Sequence, residues 1–207
     1  MAYAAVGFDL LTALLDTWSL WASVAGDRDL GMRWHGASQV LLRGKRYRPF
    51  EDIVRESASD VGLDAKRASD LLRRWGEFEP WPDVPPVLER LEGSRRFIVT
   101  NCSRKLGRLA AFRAGRFELV MTAEEAGAYK PDPLPYRTAL ERLGLDPAEV
   151  LFVAGSAHDV GGAARAAPRS SPPLRCSSTF CRAPSMVYFS VYSRCFTSRI
   201  SSISRRW

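Results

Sequence analysis

The chain has 207 residues, of which 46% are hydrophobic, and a formal net charge of +7. This length is typical of one domain with an insertion, and no apolar stretch approaches the roughly 20 residues that span a bilayer. The first fifteen residues lack a positively charged segment and a small-residue cleavage site. We therefore expect a cytoplasmic protein with neither a signal peptide nor a membrane partner.

The positive charge is confined to the end of the chain. Residues 168–207 contain seven arginines, eleven serines and no glycine, lysine or acidic residue, so the rest of the chain is neutral overall. The high isoelectric point is therefore poor evidence for a nucleic-acid partner, and we predict none. We expect a mostly disordered tail, which is either the product of a reading-frame shift or a genuine basic extension.

Strand-like and helical patterns alternate along the chain from its start to about residue 166. Strand-like runs lie at 4–8, 96–100, 119–121 and 150–154, and helical patterns lie at 104–114, at 134–143 and from about Asp159. Such alternation predicts an α/β fold in which helices cover both faces of a parallel sheet. The expected core is Rossmann-like and three-layered. Its last strand is predicted to be missing or replaced, with 186–192 as the local substitute.

The interval between the first two strands is too long for one crossover and predicts an inserted subdomain. Apolar residues recur at helical spacing from Phe50 to Val61, and Asp64 is placed to cap a following helix. The Pro80-Trp81-Pro82 stretch is interpreted as a hinge. The predicted organisation is a core of 1–16 and 81–167, a helical cap of 17–80, and the tail of 168–207.

Polar segments accompany the predicted strands of the core. They are Asp9 after the first strand, Val-Thr-Asn-Cys-Ser at 99–103, Tyr-Lys-Pro-Asp-Pro at 129–133 and Phe-Val-Ala-Gly-Ser-Ala-His-Asp at 152–159. A carboxylate at the tip of a buried strand is costly to desolvate unless the site uses its charge. In this order the segments resemble the haloacid dehalogenase superfamily of aspartate-nucleophile hydrolases, and most nearly its type II 2-haloacid dehalogenases. The resemblance extends from about residue 4 to residue 166.

The resemblance implies a role for each matched residue. Asp9 would be the nucleophile that forms an enzyme ester, Lys130 would hold Asp9 ionised, and Asp159 would orient Lys130 or water. Arg33, in Met-Arg-Trp-His, is expected to receive the departing halide. The remaining substrate-binding residues are predicted to be Thr12, Thr100, Asn101 and Ser156. Simpler interpretations stay open: a capping aspartate at 9, a strand-to-helix turn after Thr100 and a solvated helix arginine at 33.

The substrate prediction depends on Leu11. Superfamily phosphatases carry a second aspartate at this position, which protonates the leaving oxygen and lies near Mg²⁺. Halide leaves as a stable anion and needs no proton, so we predict hydrolysis of a carbon–halogen bond in a small molecule, without a metal or other cofactor. A Mg²⁺-dependent phosphatase is the alternative, and an inactive, truncated family member is the third. A homodimer is left open.

Two further sets of residues have alternative interpretations. Ala-Gly-Ser-Ala-His-Asp at 154–159 stands where the dehalogenases typically have Ser-Ser-Asn-x-Trp-Asp. Within it, His158 is interpreted either as a base or as a structural or exposed histidine. Trp18, Trp21 and Trp34 are interpreted either as the wall of an apolar pocket or as the core of the cap.

Overall fold

The structure is a computed structural model that describes residues 3–43, 47–166 and 175–178. The strands are β1 Ala5–Phe8, β2 Leu15–Asp16, β3 Glu79–Pro80, β4 Arg95–Thr100, β5 Leu119–Thr122, β6 Val150–Ala154 and β7 Arg175–Ser178. The helices are α1 Thr17–Ala25, α2 Arg28–Leu42, α3 Phe50–Asp60, α4 Ala65–Arg73, α5 Val84–Arg90, α6 Arg104–Ala114, α7 Ala123–Ala126, α8 Leu134–Leu143 and α9 Ala157–Ala164. Short 3-10 turns lie at Trp75–Glu77 and Pro147–Glu149.

The central sheet is parallel, as predicted. Within the described part of the chain its strands lie in the order β5-β4-β1-β6-β7, and each neighbouring pair is parallel. The chain passes from β1 to β4 and β5 on one side and then returns to β6 on the other. The carboxyl end of β1 therefore lies at a topological switch point, where crevices form in sheets of this kind.

Helices cover both faces of this sheet and complete the three layers. Val6 and Phe8 of β1 face a core that includes residues of α5 and α6, whereas Ala5 faces a second core that includes residues of α8 and α9. Gly7 lies between two aromatic rings on this second side. A Cβ atom there would come within 2.5 Å of the Phe97 ring, so the strand requires glycine at this position.

The inserted cap consists of α1 to α4 and is built around buried indoles. The rings of Trp21 and Trp34 meet edge to face at 4.8 Å, and Trp75 packs against Trp21 at 6.4 Å. The indole nitrogen of Trp34 donates to the carbonyl of Val54 at 3.1 Å, which fixes α2 against α3. Trp21 and Trp34 thus belong to the core of the cap. Within the described ranges, no helix has the length and apolar character needed to cross a membrane.

The cap is joined to the core through a two-stranded antiparallel ribbon. Strand β2 leads into α1 and pairs with β3, through which the chain returns, so Leu15 lies opposite Pro80. The segment around Pro80, which the sequence predicts to be a hinge, therefore takes part in a strand. Trp81 also anchors the junction, because its backbone N–H donates to the carbonyl of Leu14 at 3.0 Å.

Several predicted helix ends coincide with those in the structure because capping residues define them. Ser103 caps α6, and Gly144, with φ of 64°, ends α8 in the left-handed conformation that favours glycine. The Asp64 carboxylate accepts from the backbone N–H of Arg67 at 2.8 Å and begins α4, as predicted. Helix α9 begins at Ala157, two residues before the expected start.

Residues 175–178 of the tail form a strand, which differs from the expectation that the tail is mostly disordered. Strand β7 pairs in parallel with β6, with Ala154 opposite Ser178, so a replacement strand lies at 175–178. The physical reason is that the backbone groups on the outer edge of β6 require partners, and a ladder can form with little regard to side chains. The predicted substitute at 186–192 lies outside the described residues.

Candidate active site

The site is centred on Asp9, directly after β1. Its backbone N–H donates to the carbonyl of Val153 in β6 at 2.9 Å, so the ladder between β1 and β6 continues up to the carboxylate. The side chain is buried, with only 7% of the residue exposed. A buried carboxylate needs a charged or hydrogen-bonding partner, and the neighbouring loops provide both.

Lys130 lies between two carboxylates. Its Nζ is 2.5 Å from Oδ1 of Asp9 and 3.0 Å from Oδ1 of Asp159, and all three residues are at most 7% exposed. Burial disfavours the ammonium, but the charges of Asp159 and Asp9 and the hydrogen bonds to both outweigh it and raise the pKa of Lys130 above its ordinary value. Lys130 is therefore positively charged at neutral pH. The structure brings together the three predicted catalytic residues.

Asp159 is held by two hydroxyl groups. Tyr136 donates to its Oδ1 at 2.7 Å, and Ser156 donates to its Oδ2 at 3.2 Å. Ser156, predicted to bind substrate, thus lines the cavity and also supports Asp159. Tyr136 has no predicted role. The signal was its place in the Lys-Pro-Asp-Pro-x-Pro-Tyr string, six residues after Lys130.

The second oxygen of Asp9 is held by Thr12. The Thr12 hydroxyl donates to Oδ2 at 3.1 Å, and the Thr12 backbone N–H approaches the same oxygen at 3.4 Å. Thr12 was predicted to bind substrate, and in this structure it orients Asp9. Gly155 makes the arrangement possible, because a Cβ there would lie 2.2 Å from Oδ2 of Asp9 and 2.1 Å from the Thr12 hydroxyl. Gly155 has no role predicted from the sequence.

Thr100 and Asn101 close β4 beside this cluster. Both line the cavity, but each also has a partner within the protein. Asn101 exchanges two hydrogen bonds with the backbone of Lys130, and the Thr100 hydroxyl lies 3.5 Å from Sγ of Cys102. Burial raises the pKa of the Cys102 thiol to about 12, so this cysteine stays protonated and is a poor nucleophile.

A cavity of about 340 Å³ opens above Asp9 between the core and the cap. Apolar walls come from Leu11, Trp18 and Leu42, so of the three tryptophans considered only Trp18 contributes to the pocket. The cap supplies polar groups from one face of α2, namely His35, Gln39 and Arg43. None of these three had been predicted as a site residue.

Arg33 is not brought to the site. It is exposed on α2 and does not line the cavity, which corrects the expectation that it faces the pocket. The reason is helical phase: Arg33 is two residues from His35, so the two side chains point about 160° apart. Trp34 and Gly31 fix that phase, since Trp34 is buried and a Cβ on Gly31 would lie 2.7 Å from the backbone of α1.

His35 lies close enough to Asp9 for the two side chains to interact electrostatically. Burial lowers the pKa of its imidazole to about 4, although the negative charge of Asp9 opposes this shift. Its ring meets Trp18 at 4.7 Å and Trp21 at 5.2 Å, edge to face in both cases. At neutral pH the imidazole is therefore uncharged. The side chain of His158, the other histidine, lies outside the described residues.

The residues present offer a poor fit to a divalent cation. Asp9 and Asp159 would be the natural oxygen ligands, but the Lys130 ammonium already lies between them and would repel a second cation. The side chain two residues after Asp9 is Leu11, which donates nothing. No group of three or more metal-binding His, Cys, Asp or Glu side chains occurs within the described ranges.

The fold and site thus define a class: a parallel α/β core under a helical cap, with a carboxylate–lysine–carboxylate cluster at the switch point. A family model of haloacid dehalogenase-like hydrolases matches residues 20–167. Because the match covers well over half of the sequence, the chain belongs to the haloacid dehalogenase-like hydrolases.

Individual relatives include dehalogenases and a phosphatase-type enzyme. An (S)-2-haloacid dehalogenase from Xanthobacter autotrophicus is 31% identical over 127 residues, which cover 57% of this chain and 50% of the relative. Pyrophosphatase PpaX from Bacillus velezensis is 38% identical over 117 residues, covering 48% of this chain and 52% of that protein. The chain thus spans about half the length of these curated relatives.

A solved structure gives the corresponding comparison of folds. The L-2-haloacid dehalogenase from Xanthobacter autotrophicus superposes with a TM-score of 0.70 at 26% identity, covering 78% of this chain and 73% of that one. The same enzyme has also been solved with chloropropionic acid covalently bound.

Proposed function

We propose that this chain hydrolyses the carbon–halogen bond of small 2-halocarboxylates through an ester of Asp9. The observation that carries the proposal is the buried Asp9–Lys130 ion pair at the floor of a cavity that Leu11 also lines. The ion pair places a buried cation beside the carboxylate nucleophile, and leucine cannot protonate a leaving group. Halide is a leaving group that needs no proton.

In the first step a carboxylate oxygen of Asp9 attacks C2 of the substrate, and the carbon–halogen bond breaks with its electron pair leaving on the halide. The product of this step is an ester between Asp9 and the substrate. Lys130 contacts the nucleophile through Oδ1, and Thr12 orients it through Oδ2. That chloropropionic acid is covalently bound in the Xanthobacter structure supports this step by similarity.

In the second step water attacks the ester carbonyl of Asp9. The carbonyl–oxygen bond to the substrate breaks, the 2-hydroxycarboxylate leaves, and the carboxylate of Asp9 is regenerated with release of one proton. Asp159 lies on the far side of Lys130 and is positioned to orient the ammonium throughout both steps. The overall reaction consumes one water and yields halide, a proton and a hydroxy acid.

The experiment that tests the proposal measures chloride released from 2-chloropropionate. A single turnover with enzyme in excess, run in H₂¹⁸O, should then place the label in Asp9, because the product takes its hydroxyl oxygen from the carboxylate. Mass spectrometry of the peptide containing Asp9 reads the result. Label found only in the product would mean direct attack by water and would contradict the ester.

A phosphatase is the second candidate, favoured by the match to pyrophosphatase PpaX. It predicts Mg²⁺-dependent release of phosphate from phosphate esters and none of chloride. The dehalogenase proposal predicts chloride release that survives EDTA. Robust phosphate release that EDTA abolishes would replace the first candidate by the second.

A further inference from the structure

The catalytic cluster carries an excess of one negative charge. Asp9 and Asp159 share the single ammonium of Lys130, whose Nζ already contacts both at 2.5 and 3.0 Å. An anionic substrate that approaches Asp9 therefore meets a negatively charged floor. Because buried charges are weakly screened, this repulsion needs a compensating cation elsewhere in the cavity.

The wall that can supply this cation is the cavity face of α2. His35, Gln39 and Leu42 line it at spacings of four and three residues, which share one side of a helix, and Arg43 joins them from the C-cap position. Burial leaves His35 uncharged at neutral pH, and Gln39 offers only an amide. Among the described side chains that line the cavity, Arg43 is the one besides Lys130 that carries a positive charge.

Resting on the proposed function, we propose that Arg43 binds the carboxylate of the substrate and determines specificity for 2-halocarboxylates over uncharged halides. A guanidinium is charged at all relevant pH values and matches a carboxylate with two parallel hydrogen bonds. Arg43 is exposed at the rim of the cavity, so a substrate can reach it from solvent. In this arrangement Asp9 at the floor of the cavity faces the reacting carbon, and Arg43 at the rim binds the carboxylate of the substrate.

Arg43 also ends α2, and a cation at a helix C-terminus stabilises the helix without any substrate. A test must separate these two roles. Binding of propionate and of propionamide does so, since the two probes have nearly the same shape and differ in charge. Neither probe can react, so binding is measured independently of turnover, by isothermal titration or by NMR shifts of the protein.

We expect Arg43→Gln to weaken propionate binding by roughly ten-fold or more and to leave propionamide binding unchanged within about two-fold. Arg43→Lys, which keeps the charge, should recover much of the affinity for propionate. Arg33→Gln is the matched control: it removes the same charge from the same helix on a face that does not line the cavity, and it should bind propionate like the wild type.

Three results would overturn the inference: unchanged propionate binding by Arg43→Gln, equal losses in Arg33→Gln and Arg43→Gln, or parallel loss of both probes. If Arg43→Gln does not fold, the unmodified protein still decides, because equal affinity for propionate and propionamide contradicts the role. Arg43-dependent propionate binding without chloride release from 2-chloropropionate would leave Arg43 as a carboxylate-binding residue and would remove both the proposed function and the role of Arg43 in selecting 2-halocarboxylates.

Discussion

The side chain of Asn101 forms hydrogen bonds with both the backbone N–H and the backbone carbonyl of Lys130. Its Oδ1 accepts from the Lys130 N–H at 2.7 Å, and its Nδ2 donates to the Lys130 carbonyl at 3.2 Å. The end of β4 is thereby fastened to the loop that carries the ammonium. The position of Nζ between Asp9 and Asp159 depends on this fastening, because the two carboxylates leave little room for displacement.

Asn101→Ala should lower the rate of halide release by roughly ten- to hundred-fold, since small misplacements of a catalytic group are costly. The measurement is kcat with 2-chloropropionate. Ser103→Ala is the control from the same loop, because the Ser103 hydroxyl caps α6 and contacts Glu51 of the cap, not Lys130. It should cost about 1 kcal/mol of stability and little rate. Equal rates for the two variants would contradict this role of Asn101.

Lys130→Met should destabilise the fold by roughly 3–5 kcal/mol at neutral pH, because it leaves two buried carboxylates without their cation. Urea unfolding gives the free energy. Adding Asp9→Asn to Lys130→Met should recover part of the stability, and a purely additive double variant would show that the two residues are not coupled.

Asp9→Ala should reduce halide release by about a thousand-fold or more while the protein stays folded, because no ester can form without the carboxylate. Chloride release and circular dichroism measure the two effects. Asp9→Asn is less suitable, since an asparagine at this position can hydrolyse back to aspartate. Turnover by Asp9→Ala close to that of the wild type would end the nucleophile assignment.

Gly155→Ala should disable the site with only a modest loss of stability. The added methyl group would stand 2.2 Å from Oδ2 of Asp9, so the carboxylate and Thr12 must move. Gly161→Ala in α9 is the matched control, because its nearest neighbour is the flexible end of Arg165 at 3.3 Å. We expect a large fall in kcat for the first variant and nearly normal kcat for the second. Similar kcat values would show that Asp9 tolerates displacement.

His35 should make stability depend on pH in the acidic range. Its pKa is about 4 in the folded state, against the ordinary value of 6.5 that applies to the unfolded chain. Between these values the unfolded chain binds more protons, so the free energy of unfolding falls as pH drops from 6.5 towards 4, by at most about 3 kcal/mol. Denaturant titrations at about pH 4.5, 5.5 and 7 measure this fall. His35→Gln should flatten this part of the profile, and parallel profiles would refute the assignment.

The sequence predicted that Asp9, Lys130 and Asp159 meet at one end of the sheet because each of them is tied to a local pattern. Asp9 ends an apolar strand, Lys130 precedes a proline-rich helix start, and Asp159 follows β6. Parallel strands then bring these ends together whatever the distances along the chain. The same logic placed the ends of α6 and α8, where Ser103 and Gly144 act on the adjacent backbone.

The cap side of the cavity could not be predicted in the same way. Which face of α2 meets Asp9 depends on how Trp34 packs against α3, a contact across twenty residues. A match to the motif around Arg33 does not indicate how α2 is rotated about its own axis. The buried stripe of Gly31, Trp34, Ser38 and Leu42 fixes the inward side of the helix and thus the flank that faces the core. Only Trp34 and Leu42 of this stripe are large apolar residues, so the sequence pattern indicates the inward side weakly.

The antiparallel ribbon of β2 and β3 has an evolutionary consequence. Asp16 lies opposite Glu79, so the intervening residues 17–78 are topologically one oversized loop of a hairpin. A two-residue turn suffices to join antiparallel neighbours. Asp9, Lys130 and Asp159 all lie outside this loop, whereas His35, Gln39 and Arg43 lie within it. Exchange of this single continuous segment would therefore change the cap side of the cavity while the cluster of Asp9, Lys130 and Asp159 is inherited unchanged.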